Sequence, residues 1–197
     1  MAFRGMITTD DIKALRDETG VSVMQCKKAL EEAEGDKEKA KVILRKQSGA
    51  AAAKKAERTL GAGAIGNYVH ATGTIAALVV LSCETDFVAK NDEFRSLARE
   101  IAMHVAAMSP EFLRREDVSA DAMAAARGVF EKEAAGKSPE IHEKIISGKL
   151  DSYFAEKVLL EQSFIKDQGV RIRDLVAAAS QKFGERVEVT KFVRVAV

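Results

Sequence analysis

The sequence predicts an α+β fold with a small helical head, and three patterns predict it. Apolar residues recur at helical spacing between capping residues over about residues 8–47. Two extended apolar runs, 65–70 and 74–81, flank an Ala71-Thr72-Gly73 turn. The C-terminus alternates, with Val187, Val189, Val193, Val195 and Val197 on one side and Glu188, Thr190 and Arg194 on the other. Helical segments separate these strands, so a small antiparallel sheet packed by helices is expected.

The head, residues 1–47, reads as three helices. Thr8 or Thr9 caps the first, Asp10 and Asp11 suit its positive end, Ile12 and Leu15 form its stripe, and Gly20 ends it. Ser22-Val23-Met24-Gln25 has capping-box spacing and opens the second, whose face is Cys26, Ala29, Leu30 and Ala33. Gly35 stops it. Asp36 caps the third, which buries Ala40, Ile43 and Leu44. Residues 48–64 are rich in Ala, Lys and Gly, with little bulk to bury, and read as a partly helical linker.

The core, residues 65–197, begins with the hairpin. Asn91, Asp92 and Glu93 then open a strong amphipathic helix, with Phe94, Leu97, Ala98, Ile101, Val105 and Met108 on one face and Pro110 beyond it. Residues 111–165 are charged and Ala-rich, with helix starts at Ser119 and Ser138-Pro139, and read as a helical insertion. A last helix is expected over about 170–183, stopped by Gly184, before the alternating strand.

Composition narrows the function. Of 197 residues, 47% are hydrophobic and 31% charged, an ordinary globular balance, and the net charge of +1 argues against bulk attraction to nucleic acid or membranes. Cys26 and Cys83 lie far apart, with no Cys or His at metal-ligand spacing, which fits a reducing, cytoplasmic setting. Met1 to Met6 carry no signal-peptide apolar core, and the longest apolar run, 75–81, is too short for a bilayer.

Motifs for chemistry are sparse. The phosphate-binding GxxxxGK[ST] loop does not occur. Gly61-Ala62-Gly63-Ala64-Ile65-Gly66 matches GxGxxG, but a strand follows where a helix must receive the pyrophosphate, so the segment reads as a flexible hinge and no cofactor is expected. His70, His104 and His142 are scattered, and His104 beside its helix's stripe reads as a packing or solvated residue. No nucleophilic triad or localisable carboxylate pair occurs, so an enzyme is not expected. Lys27-Lys28 and Lys54-Lys55 read as solvated helix surface. Val23 and Met24 suit either the core or an exposed patch for a partner, and pattern alone favours the core. For Asp86 and Phe87 pattern alone favours a core-sealing Phe87 and an Asp86 that complements a helix end.

Two segments change that balance. Residues 15–30, LRDETGVSVMQCKKAL, resemble the N-terminal signature of the elongation factor Ts family, and residues 83–91, CETDFVAKN, resemble its second signature. The linker and the closing Phe192-Val193-Arg194 strand are similar as well, so the likeness spans the chain. The resemblance implies guanine-nucleotide exchange on the GTPase elongation factor Tu (EF-Tu). It implies a head like a ubiquitin-associated (UBA) domain, with Arg16, Val23 and Met24 at the EF-Tu contact positions. It assigns Asp86 and Phe87 to an intruding pair and Thr85, Asp86, Phe87 and Val88 to the segment that dislocates magnesium. The chain departs from the pattern at Val23, commonly methionine, and Ser22, commonly glycine. It shows one core repeat where longer members carry two, and short members are expected to form homodimers through an exposed sheet face. The rival readings are an adaptor whose head binds ubiquitin-like domains and a ribosome- or RNA-associated protein.

Overall fold

A computed structural model describes residues 7–133 and 138–197. Residues 1–6, read above as lacking a signal core, and 134–137, inside the expected insertion, lie outside the described residues.

The local signals of the head act as expected. Helix α1 spans Thr9–Thr19. Thr8 caps it reciprocally: the Asp11 amide donates to the Thr8 hydroxyl (3.2 Å) and the Thr8 amide to the Asp11 carboxylate (3.1 Å). Gly20 closes it at φ +68°, where its amide donates to the Arg16 carbonyl. Helix α2, Val23–Glu32, is capped by Ser22, although the Gln25 side chain accepts from the Ser22 hydroxyl instead of its amide. Helix α3, Lys37–Ala53, is capped by Asp36 and runs on through the residues expected to open the linker. Leu15, Val21, Cys26, Ala29, Leu30, Ala33, Ala40 and Leu44 form one buried cluster, so the three helices carry a core of their own.

Strands β1 (Ala62–Val69) and β2 (Ile75–Cys83) form the expected hairpin, with Gly73 at φ +73° in the turn. A single helical turn, α4 (Asp86–Ala89), precedes α5 (Asp92–Met108). The Asn91 side chain caps α5 by accepting from the Glu93 and Phe94 amides. Helices α6 (Ala120–Glu133) and α7 (Pro139–Lys157) pack on each other and realise the expected insertion. Their joint core is small: Val118, Phe154 and Val158 are buried, with Phe112, Met123, Leu150 and Tyr153 half-covered around them.

The sequence reading needs correction in three places. A short hairpin, β3 (Ser163–Phe164) with β4 (Asp167–Arg171), occupies what was read as the end of the insertion and the start of the last helix. The chain turns at Ile165 and Lys166 and stays extended through Val170 and Arg171, so helix α8 spans only Ile172–Phe183. The GxGxxG glycines are not a hinge: Gly63 and Gly66 lie inside β1, and a Cβ on Gly66 would overlap the Ala98 carbonyl of α5. Finally, strand β5 (Glu188–Ala196) does not bury one continuous valine face. Val187 and Val189 are buried, Thr190 and Lys191 are both exposed, and beyond them Phe192 and Arg194 are the half-covered residues. Two successive exposed residues reverse the alternation, which leaves Val193 and Val195 uncovered.

The chain divides into two compact units. The first runs through Ala64 and takes in Leu81–Arg95 and Asp174–Glu188; the second comprises Ile65–Val80, Ser96–Arg173 and Val189–Val197. In the first, the Ser48 hydroxyl bonds the Gln181 side chain, Lys55 donates to the Ser180 carbonyl (2.8 Å), and Phe94 meets Phe183 edge-on. In the second, the three-stranded antiparallel sheet has the order β1-β2-β5, and Ile101, Ala102, Val105 and Leu159 are buried. Three polar residues, His104, Glu161 and Gln162, are buried with them. His104 pairs with the Gln162 carbonyl oxygen (2.9 Å) through Nε2 and accepts the Ile165 amide at Nδ1 (3.3 Å). Glu161 receives Arg115 (3.2 Å), Arg171 (2.9 Å) and Arg173 (2.9 Å).

Candidate partner-binding site

The end of β2 is built to hand the chain to an exposed turn. Val79, Leu81 and Cys83 point into the core, and Thr85 then leaves the strand with extended dihedrals and caps α4 by accepting the Val88 amide. Val88 and Ala89, on the inner side of that single turn, are buried. Asp86 and Phe87, one step earlier on the helical circle, face outward, and Phe87 is 85% exposed. A phenylalanine with nearly all its surface in water, four residues beyond a buried strand, is the feature pattern alone would have placed in the core. Val88, grouped with the contact segment by resemblance, is 3% exposed; it anchors the turn and presents no surface of its own.

Polar groups fix this turn to the loop after α8. The Glu185 carboxylate accepts the Glu84 amide (3.0 Å), the Thr85 amide (3.0 Å) and the Thr85 hydroxyl (2.6 Å). In return the Glu84 carboxylate accepts the Arg186 amide (2.5 Å) and a long bond from Arg58 (3.3 Å). The Arg186 amide, followed by Arg58, holds the Glu84 carboxyl below its usual range against the opposing effect of partial burial. Burial, reinforced by the nearby Glu185 charge, pushes the Cys83 thiol up, so it stays protonated and unreactive. Asp86 makes an exposed ion pair with Lys90 (3.5 Å) along the turn. Neither Glu84 nor Glu185 was nominated from sequence: 100 residues separate Thr85 from its partner Glu185, and an acidic residue after a helix-ending glycine is unremarkable.

The head residues are also outward. Met24 is 64% and Val23 52% exposed at the start of α2, because Ser22 begins the helix with its first turn pointing away from the Leu15–Cys26–Leu30 cluster. Arg16 on α1 is solvated and lies 3.9 Å from Asp17. Thr85 to Val88 therefore form one turn, while Arg16, Val23 and Met24 belong to the helices of the head.

Elsewhere, the buried His104 and Glu161 are engaged internally. Among the described residues no group of three or more His, Cys, Asp or Glu side chains could hold a metal ion, and no helix is long and apolar enough to cross a membrane. Burial lowers the His104 pKa, only partly offset by Gln162. Burial alone would raise that of Glu161, but its three arginines outweigh it and the carboxyl is held low.

The comparisons with known proteins bear on this geometry. The profile of the family described as Elongation factor TS matches residues 38–197. The chain belongs to the elongation factor Ts family. Three proteins named Elongation factor Ts are each 47% identical to it. That of Carboxydothermus hydrogenoformans aligns over 96% of this chain and 88% of its own length. That of Thermosipho melanesiensis aligns over 98% and 99%, and that of Fervidobacterium nodosum over 97% and 98%. Family membership places the chain in translation elongation and protein biosynthesis, and the α+β architecture agrees with it. The exposed Asp86–Phe87 turn and the buried strand that carries it both lie inside the matched region.

Proposed function

We propose that this chain is a guanine-nucleotide exchange factor that binds EF-Tu carrying GDP and promotes GDP release by disturbing the magnesium and phosphate site, acting by binding and not by covalent chemistry. The carrying observation is the solvent-exposed Phe87 beside Asp86 on a turn anchored from beneath by Val88 and Ala89. Such a side chain loses its contact with water when it enters a crevice on another protein, and the anchored turn lets it act as a wedge. Asp86 brings a negative charge to the same place. Displacing magnesium from a GTPase removes the largest local positive charge holding the phosphates. If the factor weakens GDP binding, GDP weakens factor binding by the same free energy, so the ternary complex dissociates in either direction and nucleotide supply sets the outcome.

The three-helix unit, residues 1–47, serves as the UBA-like head that docks on EF-Tu through Arg16, Val23 and Met24. Residues 48–64, of which 48–53 continue α3 and 62–64 begin β1, link it to the 65–197 core. The outer sheet face, with Ile65, Val69, Leu78, Val193 and Val195 exposed, supports a homodimer: five large apolar side chains on one small sheet are a costly surface for a monomer. The setting is the cytoplasm, with no direct contact to nucleic acid or membrane; a net charge of +1 supports this.

The test is release of fluorescent GDP from EF-Tu with and without this protein. Acceleration that saturates with factor, and is suppressed by excess magnesium and GDP, supports exchange. A release rate unchanged at any factor concentration refutes it. Sedimentation of the free protein should give twice the chain mass.

A further inference from the structure

The turn that carries Phe87 is not shaped by its own four residues. A helix of one turn leaves its first amides without partners and has no stability in isolation. Here two of the amides that precede it, those of Glu84 and Thr85, end on a single carboxylate, Glu185, which also takes the Thr85 hydroxyl at 2.6 Å. The same hydroxyl oxygen accepts the Val88 amide and so fixes where α4 starts. Glu185 is set in turn by Ser180, whose hydroxyl donates to the Glu185 carbonyl (2.7 Å) and accepts the Val187 amide (3.0 Å). Removing the carboxylate would release three bonds at once and leave the Thr85 rotamer undetermined, without altering the Asp86 or Phe87 side chain itself.

We propose that Glu185 is a positioning residue for nucleotide exchange: its carboxylate fixes the Glu84–Thr85 backbone and thereby the direction in which Phe87 and Asp86 project. The inference rests on the exchange reading above and deepens it. Glu185 reaches the partner only through the turn it holds. A misdirected wedge loses the rate at saturation more than it loses association, because head contacts remain.

Stimulated GDP release from EF-Tu is measured against factor concentration for the full chain and for Glu185→Ala, Glu185→Gln, Phe87→Ala and the Phe87→Ala/Glu185→Ala double variant, with thermal unfolding and amide hydrogen exchange of each free protein. Glu185→Ala should lower the saturating rate about tenfold, with a smaller change in the half-saturating concentration. The Thr85 amide should lose protection while the cluster around Leu81 keeps it. Glu185→Gln, which retains an acceptor oxygen, should fall between. The double variant should lose clearly less than the sum of the two single losses, since with the ring absent only Asp86 is left to misaim. An unchanged saturating rate in Glu185→Ala alongside a slow Phe87→Ala overturns the role of Glu185 alone. Fully additive losses in the double variant also overturn it, by showing that Glu185 acts elsewhere. A wild-type rate from Phe87→Ala overturns the wedge itself.

Discussion

Replacing Phe87 by alanine separates what the ring does for this protein from what it does for a partner. At 85% exposure the ring has little of its surface removed from water in the free chain, and the turn is held by Val88, Ala89 and the Glu185 carboxylate. The free protein should therefore lose less than about 0.5 kcal/mol, as an ordinary surface substitution does. If the ring is buried only when it enters EF-Tu, full burial of a phenylalanine contributes roughly 2 kcal/mol. Spent wholly on the exchange step, that amounts to about a thirtyfold slower GDP release at saturating factor. The assay is stopped-flow release of fluorescent GDP over a range of factor concentrations, paired with urea unfolding of the free variant. A thirtyfold loss with an unmoved urea midpoint supports the reasoning. Slow release accompanied by a large fall in the midpoint would refute it, because the ring would then be serving its own fold.

If the head docks on EF-Tu as proposed, Met24→Ala should raise the half-saturating factor concentration about tenfold and leave the saturating rate alone, since Met24 is exposed on the head and lies apart from the wedge. Gly66→Ala should lower the melting temperature by about 5–10 °C, because its methyl group meets the Ala98 carbonyl and neither backbone can yield cheaply. Gly49→Ala, inside α3 with nothing within 4 Å, should instead stabilise the protein by about 0.5–1 kcal/mol. His104 sets an acid limit: its folded pKa lies below 6.5, so the unfolded chain binds the extra proton, and the stability from the neutral imidazole is lost as pH falls below about 6.5. Urea midpoints between pH 7.5 and 5.5 should slope downward in the wild type and less steeply in His104→Asn; equal slopes would show that another group is responsible.

Local chemistry was legible and long-range pairing was not. Thr8, Ser22, Asp36 and Asn91 cap helices by bonding amides two to three residues away, and such bonds can be read from spacing alone. The valines of β5 failed as a guide because period-2 reasoning assumes an uninterrupted pleat, and Thr190 and Lys191 break it. Gly66 looked like freedom when its missing Cβ is in fact demanded by the Ala98 carbonyl of α5, more than thirty residues later, a packing constraint with no local signature. At the site, pattern alone leaned toward a buried Phe87 and a buried Met24, since apolar residues at the edge of an apolar run usually continue the core. Only the extended likeness of residues 15–30 and 83–91 pointed outward; Phe87, Val23 and Met24 are exposed, whereas Val88 is buried. Glu185 was invisible because its partners lie 100 and 101 residues away.

How the exposed ring is tolerated follows from what holds the turn. An aromatic at a strand end would ordinarily fold back and cover the nearest apolar surface, gaining burial without a partner. That surface is already taken: Val88 and Ala89 fill the inner side of α4, and Leu81 and Cys83 are fully enclosed. The Glu84 and Thr85 amides that lead into the turn are meanwhile bound by Glu185, so swinging the turn to bring Phe87 inward would strain bonds to a carboxylate as well as displace Val88. The apolar transfer energy of the ring thus cannot be released inside the chain and is available only to a second molecule that supplies a crevice. By the same logic Val88→Ala should be harmful in a different way from Phe87→Ala. It opens space beneath the turn, costing about 1–2 kcal/mol of stability, and gives Phe87 somewhere to collapse. The variant should lose exchange activity while the Phe87 ring becomes less accessible, and a Val88→Ala protein that exchanges at the wild-type rate would mean that the anchor has no part in presenting the ring.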